Sequence, residues 1–185
     1  MDTIETRILA FASWFDWLAY VGLAFYGLMV LEIVWDIYAR QRRGAGETVA
    51  NFAIAAGNLL LELTAYGAVF VVGLLLAEQI ALFDLPVNAW TWVLAVIAAD
   101  FTYYWMHRAE HRVRVLWAYH SVHHSSPEFN LTTAMRLAWT EGLFEWVFFV
   151  PMVVLGFDAV QALIAILIVV TYQTWIHTQK IGRLG

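Results

Sequence analysis

Long apolar blocks separated by short polar segments dominate this sequence. The first three blocks cover residues 14–38, 51–83 and 85–106. Each is long enough to cross the hydrocarbon core of a bilayer as a helix, which takes about 20 residues. The pattern therefore predicts membrane-spanning helices throughout the first half of the chain, interrupted by the helix-breaking Gly44–Gly46 segment.

Two further apolar blocks follow a polar region at residues 107–136. They cover residues 143–155 and 159–175 and are joined by Gly156, Phe157 and Asp158. A helix of the first block's length reaches only about 20 Å, so this arm is expected to enter the membrane without crossing it. The pair predicts a helical hairpin. The whole pattern predicts an all-α integral membrane protein with about four transmembrane helices.

Composition supports a membrane protein and excludes several other classes. The chain is 62% hydrophobic and only 14% charged, whereas soluble domains carry about 25% charged residues. A net charge of −5 without a basic stripe argues against a nucleic-acid partner. Because the chain has no cysteine, disulfides, cysteine-ligated iron–sulfur clusters and thiolate-ligated haem are excluded.

The basic residues predict an orientation, since lysine and arginine favour the cytoplasmic side of short loops. Apart from Arg7, they follow the first block, occupy the polar region and return near the end of the chain: Arg40, Arg42, Arg43, Arg108, Arg112, Arg114, Arg136, Lys180 and Arg183. The intervening turns at residues 78–88 and 156–158 carry none. The polar region is therefore predicted on the cytoplasmic face, and the hairpin is predicted to return His177 to it.

Five of the six histidines lie within eighteen residues, in two boxes. His107 and His111 are four apart, so on a helix they share a face. His120, His123 and His124 are predicted on a second short helix that ends near Ser125, because Pro127 disfavours helical backbone at the residue before it.

The two boxes together present five nitrogens, more than one tetrahedral zinc takes from a protein. The sequence thus predicts a site for two metals. The predicted ligands are His107, His111, His120, His123, His124 and His177. For His177 the alternative is an interfacial histidine hydrogen-bonded to backbone.

Other polar residues near or within the apolar blocks have two readings each. Asp100 lies two turns before His107 and is a candidate to orient a ligand imidazole, or else it bonds an arginine or a nearby tyrosine. Glu62 and Asn58, one turn apart, are expected to tie spans together rather than to serve a functional site. Arg136 and Asn130 are expected to contact phospholipid phosphate rather than a polar substrate head.

The chain resembles the fatty acid hydroxylase superfamily, which includes sterol desaturases. The resemblance rests on DFTYYWMH (100–107), the box ending at His111, WAYHSVHHSS (117–126), NLTTAMR (130–136), WIHT (175–178) and IGRLG (181–185). These segments look most like the alkylglycerol monooxygenase-like and bacterial sterol desaturase-like branch. The resemblance divides the chain into transmembrane helices at 1–97 and a histidine-box region at 98–185.

This resemblance implies a non-haem di-iron enzyme, with zinc as a possible substitute for iron. It would use O₂ and an unidentified electron donor to hydroxylate or desaturate a sterol, fatty acyl or ether lipid, with the six histidines as metal ligands. The family carries a further C-terminal HxxHH box, which the printed sequence lacks. We therefore expect a chain truncated at its C-terminus, with weak or incomplete metal loading.

Three alternatives compete with this interpretation. The segment HRAEH (107–111) fits the HxxEH pattern of a zinc hydrolase with Glu110 as base. A membrane metal-binding or transport protein would place polar groups along a path through the spans. A b-type cytochrome would pair histidines across two spans.

Overall fold

The computed structural model describes residues 4–41 and 44–182, with side chains described from residue 17 onward apart from residue 18. Arg42, Arg43 and Arg183, on which the predicted orientation partly rests, lie outside this part. The predicted orientation of the chain in the membrane stays a prediction.

Within the described residues the chain forms α-helices and short helical turns, with no strand, which confirms the predicted all-α class. The α-helices are α1 (Ile4–Tyr38), α2 (Ala45–Leu61), α3 (Gly67–Glu78), α4 (Ala89–Glu110), α5 (Arg114–His120), α6 (Trp146–Val154) and α7 (Ala159–Gln173). A π-helical turn, Glu62–Tyr66, joins α2 to α3. Four 3₁₀ turns cover His123–Ser125, Leu131–Met135, Glu141–Leu143 and Thr174–Ile176.

Three stretches of helix in the described chain are long and apolar enough to cross a membrane: Ala19–Tyr38, Ala45–Glu78 and Ala159–Ile176. The second contains 34 residues, about 50 Å at 1.5 Å per residue, so it exceeds a perpendicular crossing of the bilayer core. Helix α4 has 22 residues but a more polar sequence. The integral membrane class is supported, whereas the count of about four spans remains a prediction.

Helix boundaries differ from the sequence expectation where capping residues decide them. Gly44 precedes α2 with extended backbone, so the chain breaks at Gly44 as predicted, but α2 begins at Ala45, six residues before the predicted start of the second block at residue 51. The side chain of Asn88 accepts from the backbone N–H of Trp90 and Thr91 at 2.9 and 3.1 Å. This cap starts α4 at Ala89, four residues later than predicted. Its helical backbone then continues past residue 106 to Glu110.

Small residues allow the helices at the centre to approach closely. Ala95 and Ala99 of α4 and Ala162 and Ala165 of α7 are all fully buried. Alanine at such positions lets two backbones pack at short range. This packing of α4 against α7 brings the ends of the two helices, and the histidines beyond them, to the same end of the molecule.

The predicted hairpin of α6 and α7 is present, with a shorter first arm of nine residues. Gly156 has a φ of +105°, and its carbonyl accepts from the Leu85 N–H at 3.1 Å. Asp158 then starts α7 by accepting from Val160 N–H and Gln161 N–H, each at 2.9 Å. The turn reverses the chain, so that α7 returns towards the end of α4.

Candidate metal centre

All six predicted histidines lie at the ends of helices or in the turns beside them. His107 is in the last turn of α4, and His111 follows that helix directly. His120 ends α5. His123 and His124 open the next 3₁₀ turn, and His177 follows the turn after α7.

Four of these histidines form one compact group, called here the four-histidine group: His107, His111, His120 and His124. One ring nitrogen from each lies within 4.8 Å of the others. The Nε2 atoms of His107 and His111 are 3.1 Å apart, and those of His120 and His124 are 3.2 Å apart.

The other two histidines form a second pair beside that group. Nε2 of His123 lies 3.1 Å from Nε2 of His177. The Nδ1 atom of His177 is 2.9 Å from the carbonyl oxygen of Gln173, which places the proton of a neutral ring on Nδ1. His123 and His177 therefore face each other through their Nε2 atoms. His177 also contacts the backbone of Gln173 through its Nδ1.

The prediction of one continuous helix for the second box was wrong. Helix α5 stops at His120, and the backbone turns before the 3₁₀ segment His123–Ser125. The guanidinium of Arg136 stabilises this turn: its Nε donates to the carbonyl of Val122 at 3.1 Å and to Ser125 Oγ at 2.9 Å. The predicted end near Ser125 is correct.

Arg136 and Asn130 have internal partners, so the expectation that they contact phospholipid was wrong. Nη1 of Arg136 donates to Asn51 at 3.0 Å and pairs with Glu47 at 3.3 Å. The side chain of Asn130 caps the turn Leu131–Met135. Both residues fix the loop that follows the second box against α2.

Glu62 and Asn58 do tie elements together, as expected. Asn58 donates to the carbonyl of Ala138 at 3.2 Å, and Glu62 lies against Gly142. These contacts hold α2 and the π-helical turn against the segment that leads into α6.

The environment keeps the imidazoles neutral. Burial, together with the neighbouring imidazoles, lowers the pKa of His107 to about 4 and that of His123 to about 3. The pKa values of His111, His124 and His177 are also lowered, chiefly by burial. A metal ligand must be a neutral imidazole, so these rings need lose no proton near pH 7.

Two buried glutamates flank His120. Oε2 of Glu110 lies 3.1 Å from His120 Nδ1, and Oε1 of Glu141 lies 3.7 Å from the same nitrogen. Burial raises the pKa of Glu110 to about 7. From sequence alone, Glu110 is a candidate only for a hydrolytic base. Glu141 was not predicted, because it is 21 residues beyond His120 and no motif marks it.

Asp100, the residue expected to orient an imidazole, has a different position. Its side chain is exposed and lines a cavity. Within the described part of the chain it forms no hydrogen bond or ion pair with a histidine. The carboxylates nearest to ring nitrogens belong to Glu110 and Glu141.

The histidines open onto a cavity of about 670 Å³. Its lining includes every predicted ligand except His120. Apolar side chains of Phe129 and Ile176 and the charged groups of Arg108 and Arg112 complete part of the wall. The cavity is therefore large enough to hold a stretch of lipid chain beside the imidazoles.

Comparison with known proteins agrees with this site. The family model for fatty acid hydroxylase matches residues 92–185, which include all six histidines. The chain is 34% identical to alkylglycerol monooxygenase from Homo sapiens over 171 residues, covering 87% of this chain and 37% of that protein. It is 44% identical to the Xenopus tropicalis protein of that name over 105 residues, covering 56% and 23% of the two chains.

The alkylglycerol monooxygenase of Danio rerio is 34% identical over 164 residues, 87% of this chain and 36% of that protein. The chain thus spans little more than a third of the length of the curated relatives it matches. No solved structure matches it. Since the family model covers just over half of the chain and every histidine of the centre, the chain belongs to the fatty acid hydroxylase family.

Proposed function

We propose that this chain forms the metal-binding, membrane-embedded part of an O₂-dependent lipid oxygenase with two iron ions. In this proposal residues 1–97 supply transmembrane helices, and residues 98–185 supply the histidine boxes. One observation carries it: six imidazoles from separate segments meet in two adjacent groups, with facing nitrogens 3.1–3.2 Å apart.

The spacing of these nitrogens fits ligands that share an ion. Two imidazole nitrogens, each about 2.0–2.1 Å from one metal, stand about 2.8–3.4 Å apart when they subtend about 90–109°. Within the described residues the buried Nδ1 atoms of His107, His120 and His123 form no hydrogen bond, and the Nε2 atoms of the same rings face other imidazoles. The proposed ligands of the two ions are His107, His111, His120, His124 for one and His123, His177 for the other.

Iron is proposed over zinc because the chain belongs to the fatty acid hydroxylase family. The ligands themselves suit both metals, and the four nitrogens of the four-histidine group equal the ligand number of a structural zinc site. When bound, imidazole-ligated iron with open positions supplies the ability to bind and reduce O₂. The balanced reaction converts a C–H bond, O₂, two electrons and two protons into an alcohol and water, with the electrons coming from an unidentified donor.

The chain's own residues would prepare the site for this chemistry. Burial keeps the imidazoles neutral, and the Gln173 carbonyl fixes the ring of His177. The cavity wall at Phe129 and Ile176 would shield a lipid chain from water. Because the matched relatives are named alkylglycerol monooxygenases, an alkyl ether of glycerol is the first substrate to test, with sterols and fatty acyl lipids next.

The test is an isotope experiment in intact cells, whose own donors supply electrons. Cells expressing the chain in iron-replete medium receive an alkylglycerol under ¹⁸O₂, and oxidised lipids are analysed by mass spectrometry. We expect ¹⁸O in the product from wild-type cells and none from cells expressing His124→Ala. Equal ¹⁸O incorporation by both, or by neither with any of the three lipid classes, would contradict the proposal.

The zinc hydrolase alternative is disfavoured by the position of Glu110. Its Oε2 faces the Nδ1 atoms of His107 and His120, at 3.8 and 3.1 Å. The metal-facing nitrogens of those rings are Nε2, on the other side. A hydrolytic base has to reach water at the open metal position, and Glu110 instead lies behind the ligands.

A further inference from the structure

His120 is the proposed ligand that faces two carboxylates, whereas His107 faces Glu110 alone, at 3.8 Å. Its Nε2 faces His124 at 3.2 Å, and its Nδ1 faces Glu110 at 3.1 Å and Glu141 at 3.7 Å. All three side chains are almost completely buried, with His120 3%, Glu110 1% and Glu141 5% exposed. The contact is therefore desolvated, where charge and proton position matter most.

Each carboxylate is fixed through one oxygen and presents the other to His120. The hydroxyl of Tyr119 donates to Oε1 of Glu110 at 3.4 Å, which leaves Oε2 for the imidazole. The backbone N–H of Ala138 donates to Oε2 of Glu141 at 3.0 Å, and the carboxyl groups of Glu141 and Glu145 share a hydrogen bond. Oε2 of Glu110 and Oε1 of Glu141 thus approach one nitrogen from separate segments of the chain.

His120 Nδ1 is the available donor for these oxygens. Neither Glu110 nor Glu141 forms an ion pair with lysine or arginine within the described residues, and a buried carboxylate without a donor is costly. Neither Glu110 Oε2 nor His120 Nδ1 forms a hydrogen bond with any described group in the structure as it stands, but the 3.1 Å between the two atoms is within hydrogen-bonding range. A neutral imidazole with its proton on Nδ1 keeps a lone pair on Nε2, the nitrogen that faces the other histidines.

We propose that Glu110, with Glu141 as its weaker partner, is a positioning residue that keeps the proton of His120 on Nδ1. The pair thereby aims His120 Nε2 into the four-histidine group. This inference rests on the proposed metal-binding function. It adds two residues that are not metal ligands, Glu110 and Glu141, and assigns them the role of orienting His120.

A cation held between these groups is the competing explanation. One ligand atom each from Glu110, His120 and Glu141 lie within 4.8 Å of one another. Such an ion would take Nδ1 of His120 while the four-histidine group takes Nε2, so the ring would have to lose its last N–H proton. A shared proton satisfies the same atoms without that loss.

The experiment compares Glu110→Gln, Glu110→Ala and Glu141→Gln in the purified protein. Glu78→Gln is the matched control, because Glu78 accepts from the Ala159 N–H at 3.2 Å far from any histidine. We expect zinc affinity, measured by chelator competition, to fall about 10–100-fold for the Glu110 variants and less for Glu141→Gln. Glutamine keeps the volume and an acceptor oxygen for Tyr119 or Ala138, so the thermal stability of the metal-free Gln variants should change little.

Proton position gives a readout that a structural role would not change. In ¹⁵N NMR of histidine-labelled, zinc-loaded protein, we expect His120 to carry its proton on Nδ1 in the wild type and to lose that single-tautomer signal in Glu110→Ala. His120→Ala separates the two proposals: unchanged zinc binding in this variant contradicts the metal centre itself.

If His120→Ala loses zinc and the Glu110 variants do not, the positioning role is overturned while the metal centre stands. An affinity loss matched by an equal loss of metal-free stability also overturns it. The positioning role is likewise overturned if Glu110→Gln binds one zinc ion fewer per chain at saturating zinc, because that result would identify a separate cation site.

Discussion

His123 and His177 are 54 residues apart in the chain, yet their Nε2 atoms are 3.1 Å apart. Helix α6, the turn at Gly156 and helix α7 lie between them. The hairpin therefore has a role in the site as well as in the membrane, since it carries the sixth imidazole back to the boxes.

Replacing His177 should separate the two proposed ions. In His177→Ala, we expect the four-histidine group to retain its ion, because its four nitrogens are untouched. The ion between His123 and His177 should be lost. Metal analysis after equilibration with excess Fe(II) would then count one ion fewer than in the wild type. The matched variant His111→Ala should instead weaken the other ion, and equal losses in both variants would argue for a single shared site.

The metal-free protein should lose stability as the pH falls below about 6.5. Unfolded histidines take up protons near that pH, whereas the folded-state pKa values of His107 and His123 are about 4 and about 3. At these imidazoles the unfolded state binds more protons between these limits, so their contribution to the free energy of unfolding decreases towards acid. Glu110, whose pKa is raised to about 7, contributes in the opposite direction, which makes the comparison with a histidine variant necessary.

Thermal unfolding in detergent with a chelator, recorded from pH 7.5 to 5, measures this effect. His123→Asn removes one of the two strongly shifted imidazoles and should flatten the dependence. A stability that rises towards acid, or the same slope in the variant and the wild type, would contradict the assignment.

Gly156→Ala should destabilise the hairpin by about 1–3 kcal/mol. The φ of +105° disfavours a side chain, and an added Cβ would lie 2.5 Å from the backbone oxygen of Phe83. Because that oxygen belongs to the main chain, it cannot rotate away. Equilibrium unfolding measures the change, with Gly27→Ala as the control, since nothing lies within 4 Å of a Cβ there. A Gly156→Ala variant as stable as Gly27→Ala would show that the turn is not rigid.

Glu32 of α1 should matter for the second ion. Its buried carboxylate accepts from the Leu131 N–H at 2.8 Å and from the hydroxyl of Thr178, the residue after His177. Removing it leaves buried donors unsatisfied, at about 1–3 kcal/mol each. We expect Glu32→Ala to lower the melting temperature and to weaken the ion at His123 and His177 selectively.

Val34→Ala is the matched control for Glu32, since Val34 lies on the same helix and is 56% exposed. Metal titration and thermal unfolding of both variants decide the point. If Glu32→Ala loses both ions, the substitution acts through general unfolding and the selective effect on the second ion is contradicted.

The apolar blocks and the spacing of the histidines were enough to predict the helical class, the hairpin and the meeting of all six imidazoles. Alternating polar and apolar segments report where helices enter and leave the membrane, and this places His177 at the level of the boxes. Boundaries were less predictable because caps decide them: Asn88 starts α4 later than the apolar pattern suggests.

The surroundings of the imidazoles were harder to predict. Arg136 looked like a lipid contact from sequence, but its partners Glu47 and Asn51 come from α2. Glu141 reaches His120 through the fold alone. Long-range side-chain pairs of this kind leave no periodic signal, whereas ligands one helical turn apart do.

An anaerobic Fe(II) titration of the purified wild-type protein tests the central claim most directly. The account predicts two ions per chain, the first held tightly by the four-histidine group and the second held weakly, because His123 and His177 supply only two nitrogens. Binding of a single ion, or of ions whose affinities are unchanged in His120→Ala and His123→Ala, would contradict it.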